Sequence, residues 1–142
     1  MGTAVLPASW TLIGKALRIR AWGTVTTAAA PGTTVITLRL NAGTPVSVVA
    51  SPSLTLLASM TNMPFYINID LICRTTTTVI AGGEIVFPNS TTGVASTVIP
   101  FGMSAAATVV AATSYTVQIC STNGTASGTI YTTQGSSIEV LN

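Results

Sequence analysis

The chain has 142 residues, of which 48% are hydrophobic and 6% are charged, with no histidine and a formal net charge of +2. A chain of this length commonly forms one domain, and its high hydrophobic content and low net charge argue against intrinsic disorder. The lack of histidine excludes Ser/His/Asp and Cys/His catalytic arrangements, and five Lys and Arg residues are too few for a typical nucleic-acid-binding surface.

The chain begins with a segment that lacks strong alternation, followed by a long alternating strand. We expect residues 1–13 to form a short N-terminal arm, with Trp10 as its anchor on a neighbouring subunit, and residues 14–142 to form one domain. The strand that follows the arm has an apolar row and a mixed row. The apolar row is Leu17, Ile19, Ala21 and Val25, and the mixed row is Ala16, Arg18, Arg20 and Trp22.

The same period-two pattern continues along the chain. A second strand at 33–40 places Ile36, Leu38 and Leu40 on one face, after a turn at Pro31-Gly32. Turn residues recur about every 8–12 positions, which is typical of an all-β sandwich or barrel. We therefore predict a single-domain antiparallel β-sandwich that is jelly-roll-like. The further predicted strands are 45–50, 53–59, 64–73, 75–80, 83–87, 94–99, 106–110, 114–120, 126–133 and 137–141.

Two glycine-containing segments are predicted to be turns. Ala81-Gly82-Gly83 fits neither phosphate-binding glycine motif and is predicted to be a hairpin turn, as is Asn123-Gly124. The uncharged segment from 94 to 112 is broken by Pro100 and Gly102. A membrane-spanning helix needs about 20 predominantly apolar residues. We therefore expect strand, turn and strand there, and no membrane partner.

The two cysteines show no metal-binding spacing. Cys73 shares the parity of the apolar row of its strand, whereas Cys120 has the opposite parity to the apolar residues around it. If both apolar rows face one core, the two sulfurs point to different sides, which favours two free thiols over a disulfide. We expect no metal site and no cofactor.

The charged residues are few and dispersed. No charged residue lies between Glu84 and Glu139, and Asp70 is the one other acid. Paired carboxylates are therefore not expected, and Asp70 is expected to pair with an arginine on a neighbouring strand. The interface candidates combine the basic residues with the nearby tryptophans. They are Trp10, Arg18, Arg20, Trp22 and Arg39.

Four segments together resemble a known group of proteins: 14–23 (GKALRIRAWG), 36–40 (ITLRL), 65–71 (FYINIDL) and 137–141 (SIEVL). In order and pattern they resemble small tailed-bacteriophage virion structural proteins with β-sandwich or jelly-roll domains, which occur as head decoration proteins and as tail or fibre tips. The resemblance implies a structural protein and no enzyme. It further implies a homotrimer that is made in the host cytoplasm and binds the major capsid protein on the capsid exterior.

Two other functions stay open at this point. A tail or fibre tip would bind host glycans or proteins, with Tyr66, Tyr115 and Tyr131 as candidate contact residues. A small jelly-roll coat subunit would build a shell by itself. The decoration protein is the leading prediction, because a domain so poor in charge is suited to packing against copies of itself or a partner.

Overall fold

The structure of the chain is a computed structural model, which describes residues 3–6, 10, 13–91, 95–110, 113–124 and 128–141. Throughout these ranges the regular structure is β-strand, arranged in two antiparallel sheets that pack against each other. The predicted all-β antiparallel sandwich is confirmed. The strands are β1 (Thr3–Leu6), β2 (Ala16–Thr26), β3 (Thr33–Asn41), β4 (Pro45–Ala50), β5 (Leu54–Thr55), β6 (Met63–Cys73), β7 (Thr78–Pro88), β8 (Ser96–Phe101), β9 (Ala107–Thr108), β10 (Tyr115–Asn123) and β11 (Ile130–Val140).

The two sheets differ in width. The smaller sheet has the order β1-β10-β3-β4, with β5 also pairing with β3. The larger sheet has the order β11-β2-β6-β7-β8, with β9 also pairing with β7. Hairpin-like neighbours such as β3–β4 and β6–β7 lie within one sheet, whereas β2 to β3 and β10 to β11 cross between the sheets. The first strand, β1, lies in the smaller sheet, and the last strand, β11, lies in the larger sheet.

The core lies between the sheets and follows the alternation of the sequence. Successive side chains of a strand point to opposite faces, so each strand contributes one apolar row inward. In β2 this row includes Leu17 and Ile19, and in β3 it includes Ile36, Leu38 and Leu40, all of them buried. Burying one side chain of this size contributes about 1.5–3 kcal/mol, so these rows fix which face of each strand is inside.

The structure corrects the predicted hairpin turn at Ala81-Gly82-Gly83. This segment lies in the middle of β7 and is not a hairpin turn; the turn that precedes β7 is at 74–77. Gly83 is opposite Ile69 of β6, and a Cβ on it would lie 2.1 Å from the backbone oxygen of Asn68. The glycine is therefore explained by the close approach of two strands.

The segment Asn123-Gly124 also differs from its prediction. Asn123 ends β10 in the smaller sheet, whereas the next strand, β11, belongs to the larger sheet. The connection is thus a crossover between layers instead of a hairpin, and residues 125–127 within it lie outside the described part. The two predicted strands 126–133 and 137–141 form the single strand β11, with a register shift between Thr133 and Gly135.

The segment from 94 to 112 contains β8 and β9, as the broken apolar pattern predicted. Val94, Ala111 and Ala112 lie outside the described residues. Over the described ranges the protein has no helix with the length and hydropathy that a membrane crossing requires.

Both cysteines are free. Cys73 is buried in the inward row of β6, and Cys120 is half-buried on β10 in the other sheet. The preference for two free thiols is confirmed. Burial raises the pKa of the Cys73 thiol, and the positive charge of Lys15 opposes this in part.

Candidate functional site: the outer face of the larger sheet

The outward side chains of the larger sheet form one continuous surface, which we call the outer face. Strand β2 is second from one edge of this sheet. Its residues Leu17, Ile19 and Ala21 point into the core, so the residues between them must point outward onto the outer face. Across the strands, opposite residues form three rows. The rows are Glu139–Arg18–Asp70–Gly82, Ser137–Arg20–Asn68–Glu84–Pro100 and Gly135–Trp22–Tyr66–Val86–Val98.

Arg18 and Asp70 form a two-pronged ion pair in the first row. The Nε of Arg18 donates to Oδ1 of Asp70 at 2.9 Å, and its second nitrogen donates to Oδ2 at 3.2 Å. This hydrogen bonding, and then the charge of Asp70, raises the pKa of Arg18, and Glu139 on the opposite side adds to the effect. The prediction that Asp70 pairs with an arginine on a neighbouring strand is confirmed. Because both groups are partly exposed, the pair orients side chains more than it stabilises the fold.

Arg20 lies in the next row without a carboxylate partner in the described structure. Asn68 and Ser137 are directly opposite it on the two neighbouring strands. Its Nε atom is shielded from solvent and donates no hydrogen bond, and the Oδ1 atom of Asn68 is likewise shielded and accepts none. A buried polar atom without a partner is costly, so both atoms are less well satisfied here than they would be in water.

Trp22 is the largest exposed side chain of the outer face, with 40% of its surface accessible. It is opposite Tyr66 on β6 and Gly135 on β11. A Cβ on Gly135 would lie 2.4 Å from the Cζ2 atom of the indole. The indole therefore occupies the space above Gly135, and the register shift of β11 brings this glycine to that place.

A shallow apolar groove lies at the other side of the outer face. It has a volume of about 310 Å³ and includes Ile72, Ile80 and Met103 around the bare backbone of Gly82. Asp70 forms one border of the groove. The described residues contain no group of three or more His, Cys, Asp or Glu side chains that could hold a metal ion. Among the residues that line the groove, Asp70 is the one carboxylate.

The structure brings together the three acids that the sequence separates. Asp70, Glu84 and Glu139 all lie on the outer face, Glu84 being diagonal to Asp70 and Glu139 being two strands away from it. Both oxygens of Asp70 are bound by Arg18, however, so this residue is not free to protonate a leaving group.

The predicted interface residues separate into three locations. Arg18, Arg20 and Trp22 share the outer face of the larger sheet. Arg39 is opposite Gln118 and Ser47 in the smaller sheet, on the other side of the sandwich. The charge concentration expected from the sequence is therefore split, because β2 and β3 belong to different layers.

Trp10 lies in the core. Only 4% of its surface is accessible, and its ring packs edge-on against Tyr115 of the same chain at a centroid distance of 6.4 Å. Strand β1 likewise pairs with β10 of the same chain. The described part of the predicted arm is thus integrated into the sandwich, and Trp10 is not presented to a neighbour.

Sequence reasoning missed four residues of the outer face: Asn68 on β6, Gly82 and Glu84 on β7, and Gly135 on β11. Asn68 and Gly135 are opposite residues of β2, whereas Gly82 and Glu84 are opposite residues of β6. The outward parity of β6, which the sequence does show, could have indicated Asn68. The positions in β7 and β11 depend on register, which the sequence does not show.

Comparisons with known proteins found no relative, since no family model, no curated protein and no solved structure matches this chain. The interpretation of the outer face therefore depends on its own geometry.

Proposed function

We propose that the chain is a virion structural protein of the head-decoration type, which binds the outside of a capsid lattice and stabilises it by contact. The observation that carries this proposal is the outer face of the larger sheet. It is a broad sheet surface on which Trp22 and Val98 are exposed, with 40% and 58% of their surfaces accessible. Large exposed apolar groups within one rigid surface are typical of protein interaction sites.

The side chains around these groups favour packing. The remaining outward positions of β11 are occupied mainly by threonine, serine and glycine, which have few rotamers to lose. Ordering a long charged side chain at an interface costs about 0.5–1.5 kcal/mol, a cost that Arg18, Arg20, Glu84 and Glu139 carry on this face. A partner can therefore cover the small residues of β11, but not the whole face, at a small entropic cost.

The ionisable groups of the outer face support binding over catalysis. Asp70 is bound by Arg18 with both oxygens, and Glu84 lies on an open sheet surface. A glycoside hydrolase needs one carboxyl group with a raised pKa next to a second carboxylate, both within a substrate cleft. The geometry around Asp70 provides a bound carboxylate instead.

The resemblance to tailed-phage virion proteins supplies the particular setting. In that setting the partner is the major capsid protein, the location is the capsid exterior, and the assembly is a homotrimer. Stabilisation follows from mass action, because copies that bind the assembled lattice more tightly than free capsomers shift the equilibrium toward the shell.

The geometry gives less support to a tail or fibre tip that binds glycans through tyrosines. Tyr115 is buried and accepts a hydrogen bond from the backbone of Val110, and Tyr131 packs edge-on against Phe65. Only Tyr66 among the three lies on the outer face. The tyrosines therefore do not form one binding surface.

Shell stability tests the proposal. Purified capsids are compared with and without the added chain, and the temperature at which they release their contents is measured. We expect the chain to raise this temperature and Trp22→Ala to remove much of the gain. Equal release temperatures with and without the unaltered chain would contradict the proposal, and a handful of copies per particle, where a decoration protein requires hundreds, would indicate a tip.

A further inference from the structure

The larger sheet ends at β11, a long strand with one unpaired edge. Strand β11 is outermost beside β2, and no strand of the described ranges pairs with its other side. It contains no proline, lysine or arginine. The other sheet edges of the described structure are short or contain proline, since β1 has four residues, β4 begins with Pro45 and β8 contains Pro100. Natural sheet edges are usually protected by such features, so β11 is the edge best suited to a further strand.

The backbone groups that β11 leaves unpaired follow from one hydrogen bond. The N–H of Leu141 donates to the carbonyl oxygen of Ala16 on β2 at 2.9 Å. In an antiparallel ladder the direction of the N–H and C=O groups alternates from one residue to the next. The regular register of 135–140 against β2 therefore directs the backbone of the odd-numbered residues toward β2 and that of the even-numbered residues to the free edge. The even-numbered residues are Ser136, Ile138 and Val140.

The inner side of β11 carries an uncovered apolar side chain. Val140 is opposite Leu17 of β2, which points into the core with only 2% of its surface accessible. Val140 lies on the same side of the sheet, and 60% of its surface is accessible although β1 of the smaller sheet contacts β11. Ile138, the next inward residue, is half-buried and packs against the core. A further strand beside β11 would cover both side chains.

We propose that β11 pairs antiparallel with β11 of a second copy of this chain, about a two-fold axis that is perpendicular to the sheet at Ile138. A two-fold contact requires that residue i of one copy meets residue j of the other and that j meets i. Two identical strand edges in antiparallel order meet this requirement. The contact goes beyond the proposed function and leaves the outer face uncovered, because it joins the two sheets side by side. The axis turns both outer faces to the same side, so both can meet one capsid surface.

The axis at Ile138 matches the free edges of the two copies. The two Ile138 residues face each other, and Val140 of each copy faces Ser136 of the other. All three pairs join residues whose N–H and C=O groups point to the free edge, which gives about six hydrogen bonds between the copies. On the inner side of the sheet the exposed Val140 becomes a diagonal neighbour of Ile138 of the second copy.

The other positions of the axis are less favourable. An axis at Glu139 would place two carboxylates directly opposite each other, which is destabilising. An axis at an earlier residue would draw Gln134 into the ladder, within the register shift between Thr133 and Gly135. An axis at Val140, where β11 ends, would pair few residues of the strand. The axis at Ile138 avoids all three disadvantages.

The one charged residue of β11 has compatible neighbours in this register. Glu139 faces the small Ser137 of the second copy, so the two carboxylates are diagonal and not opposite. In its own chain Glu139 is opposite Arg18. Behind Ser137 of the second copy lies Arg20 of that copy, which is opposite this serine and forms no ion pair in the described structure. Each Glu139 therefore lies in a row between two arginines, and charge does not hold the copies apart.

Paired cysteines test the contact and its register. The Cα atoms of opposite residues in a non-hydrogen-bonded antiparallel pair lie about 4.5 Å apart, which a disulfide can span. Ser137 of one copy and Glu139 of the other form such a pair. Two copies of residue 137, or two of residue 139, are diagonal neighbours at about 7–8 Å, which is too far for an unstrained disulfide. Cross-linking also suits a contact that is smaller than a standard interface, because it traps weak pairs.

The experiment mixes two variants of the full chain, Ser137→Cys and Glu139→Cys, under oxidising conditions. We expect the mixture to form at least ~10-fold more cross-linked dimer than either variant alone. Both variants also carry Cys120→Ser, which removes the half-buried native thiol, whereas Cys73 is buried. Free thiols are blocked before the dimer is measured on a denaturing gel.

Ser96→Cys is the matched control, since Ser96 is an exposed serine of β8 at the opposite edge of the same sheet. Mixed with Glu139→Cys, it reports cross-linking by random collision. Ser136→Pro, added to both members of the original mixture, removes a donor from the free edge and leaves the bonds to β2 intact. We expect it to reduce the cross-linking to the level of the control, and circular dichroism confirms that each variant is folded.

Three results would each overturn the proposal. They are a mixture that cross-links no more than the control, a single variant that cross-links alone as well as the mixture does, and cross-linking that persists in a folded chain with Ser136→Pro. Because cross-linking is measured on the free chain, a capsid that gains no stability would reject the decoration function and keep this contact. A stabilised capsid without the cross-link would reject this contact alone.

Discussion

Two adjacent glycines in β7 should respond oppositely to the same substitution. Gly83 faces β6, where a Cβ would lie 2.1 Å from the backbone oxygen of Asn68 and 2.8 Å from the Cα of Ile69. Ordinary van der Waals contact begins near 3.4 Å, so Gly83→Ala requires the strands to separate by more than about 1 Å. Gly82 faces outward, and its Cβ would meet only the flexible Met103 sulfur at 3.7 Å.

The magnitudes follow from these contacts. Overpacking costs about 1–3 kcal/mol, and each ladder hydrogen bond that the separation weakens costs about 1 kcal/mol more. We expect Gly83→Ala to lower the free energy of unfolding by about 3 kcal/mol or more. Gly82→Ala should leave it unchanged or raise it by about 0.4–1 kcal/mol, because alanine restricts the unfolded chain.

Urea unfolding followed by circular dichroism measures both variants under identical conditions. A fall in the midpoint with an unchanged slope would report a loss of stability in a chain that is still two-state. Equal stability of the two variants would refute the reasoning that the close backbone contact with Asn68 requires a glycine at position 83.

Two further predictions concern the titratable groups. Cys73 is buried and its thiol has a raised pKa, whereas Cys120 is half-buried. A thiol reagent should therefore modify Cys120 first and Cys73 only as the chain unfolds. Equal rates of modification of the two cysteines in the folded protein would contradict the structure. Burial raises the pKa of Tyr131 above its ordinary value of 10.0. The contribution of this tyrosine to stability is therefore fully present below about pH 10 and is lost as the pH rises through the folded pKa. Tyr131→Phe should flatten this alkaline loss in urea midpoints measured between about pH 8 and pH 11, whereas an unchanged slope would show that Tyr131 does not cause it.

The sequence predicted the layers of the fold well where alternation is strong. Leu17 and Ile19, or Ile36 and Leu38, must share a face because the side-chain period of a strand is two. The same parity placed Cys73 and Cys120 on different sides. These predictions need only local information.

The errors arose where distant strands decide the outcome. A glycine pair inside a strand and a glycine pair in a turn look alike in sequence, and only the position of the Asn68 backbone oxygen distinguishes Gly83 from a turn residue. Arg39 was grouped with Arg18 and Arg20 because it is near them in the chain, although β2 and β3 lie in opposite sheets. Burial of Trp10 likewise depends on Tyr115, about a hundred positions later.

The candidate site was predicted on one strand only. Arg18, Arg20 and Trp22 were identified because they alternate with an apolar row. The part of the outer face at Gly82 and Glu84 depends on the register of β6 against β7. Register is set by packing and turn geometry across the whole sheet, so no local pattern could indicate it.

The proposed role of this chain is to be packed onto the outside of a virus head. The decisive experiment is a reconstruction of the native particle that shows where the density of this chain lies. We expect density repeated over the exterior of the capsid lattice, in contact with the major capsid protein. Density confined to the tail, or a particle that lacks the chain altogether, would contradict the proposed role.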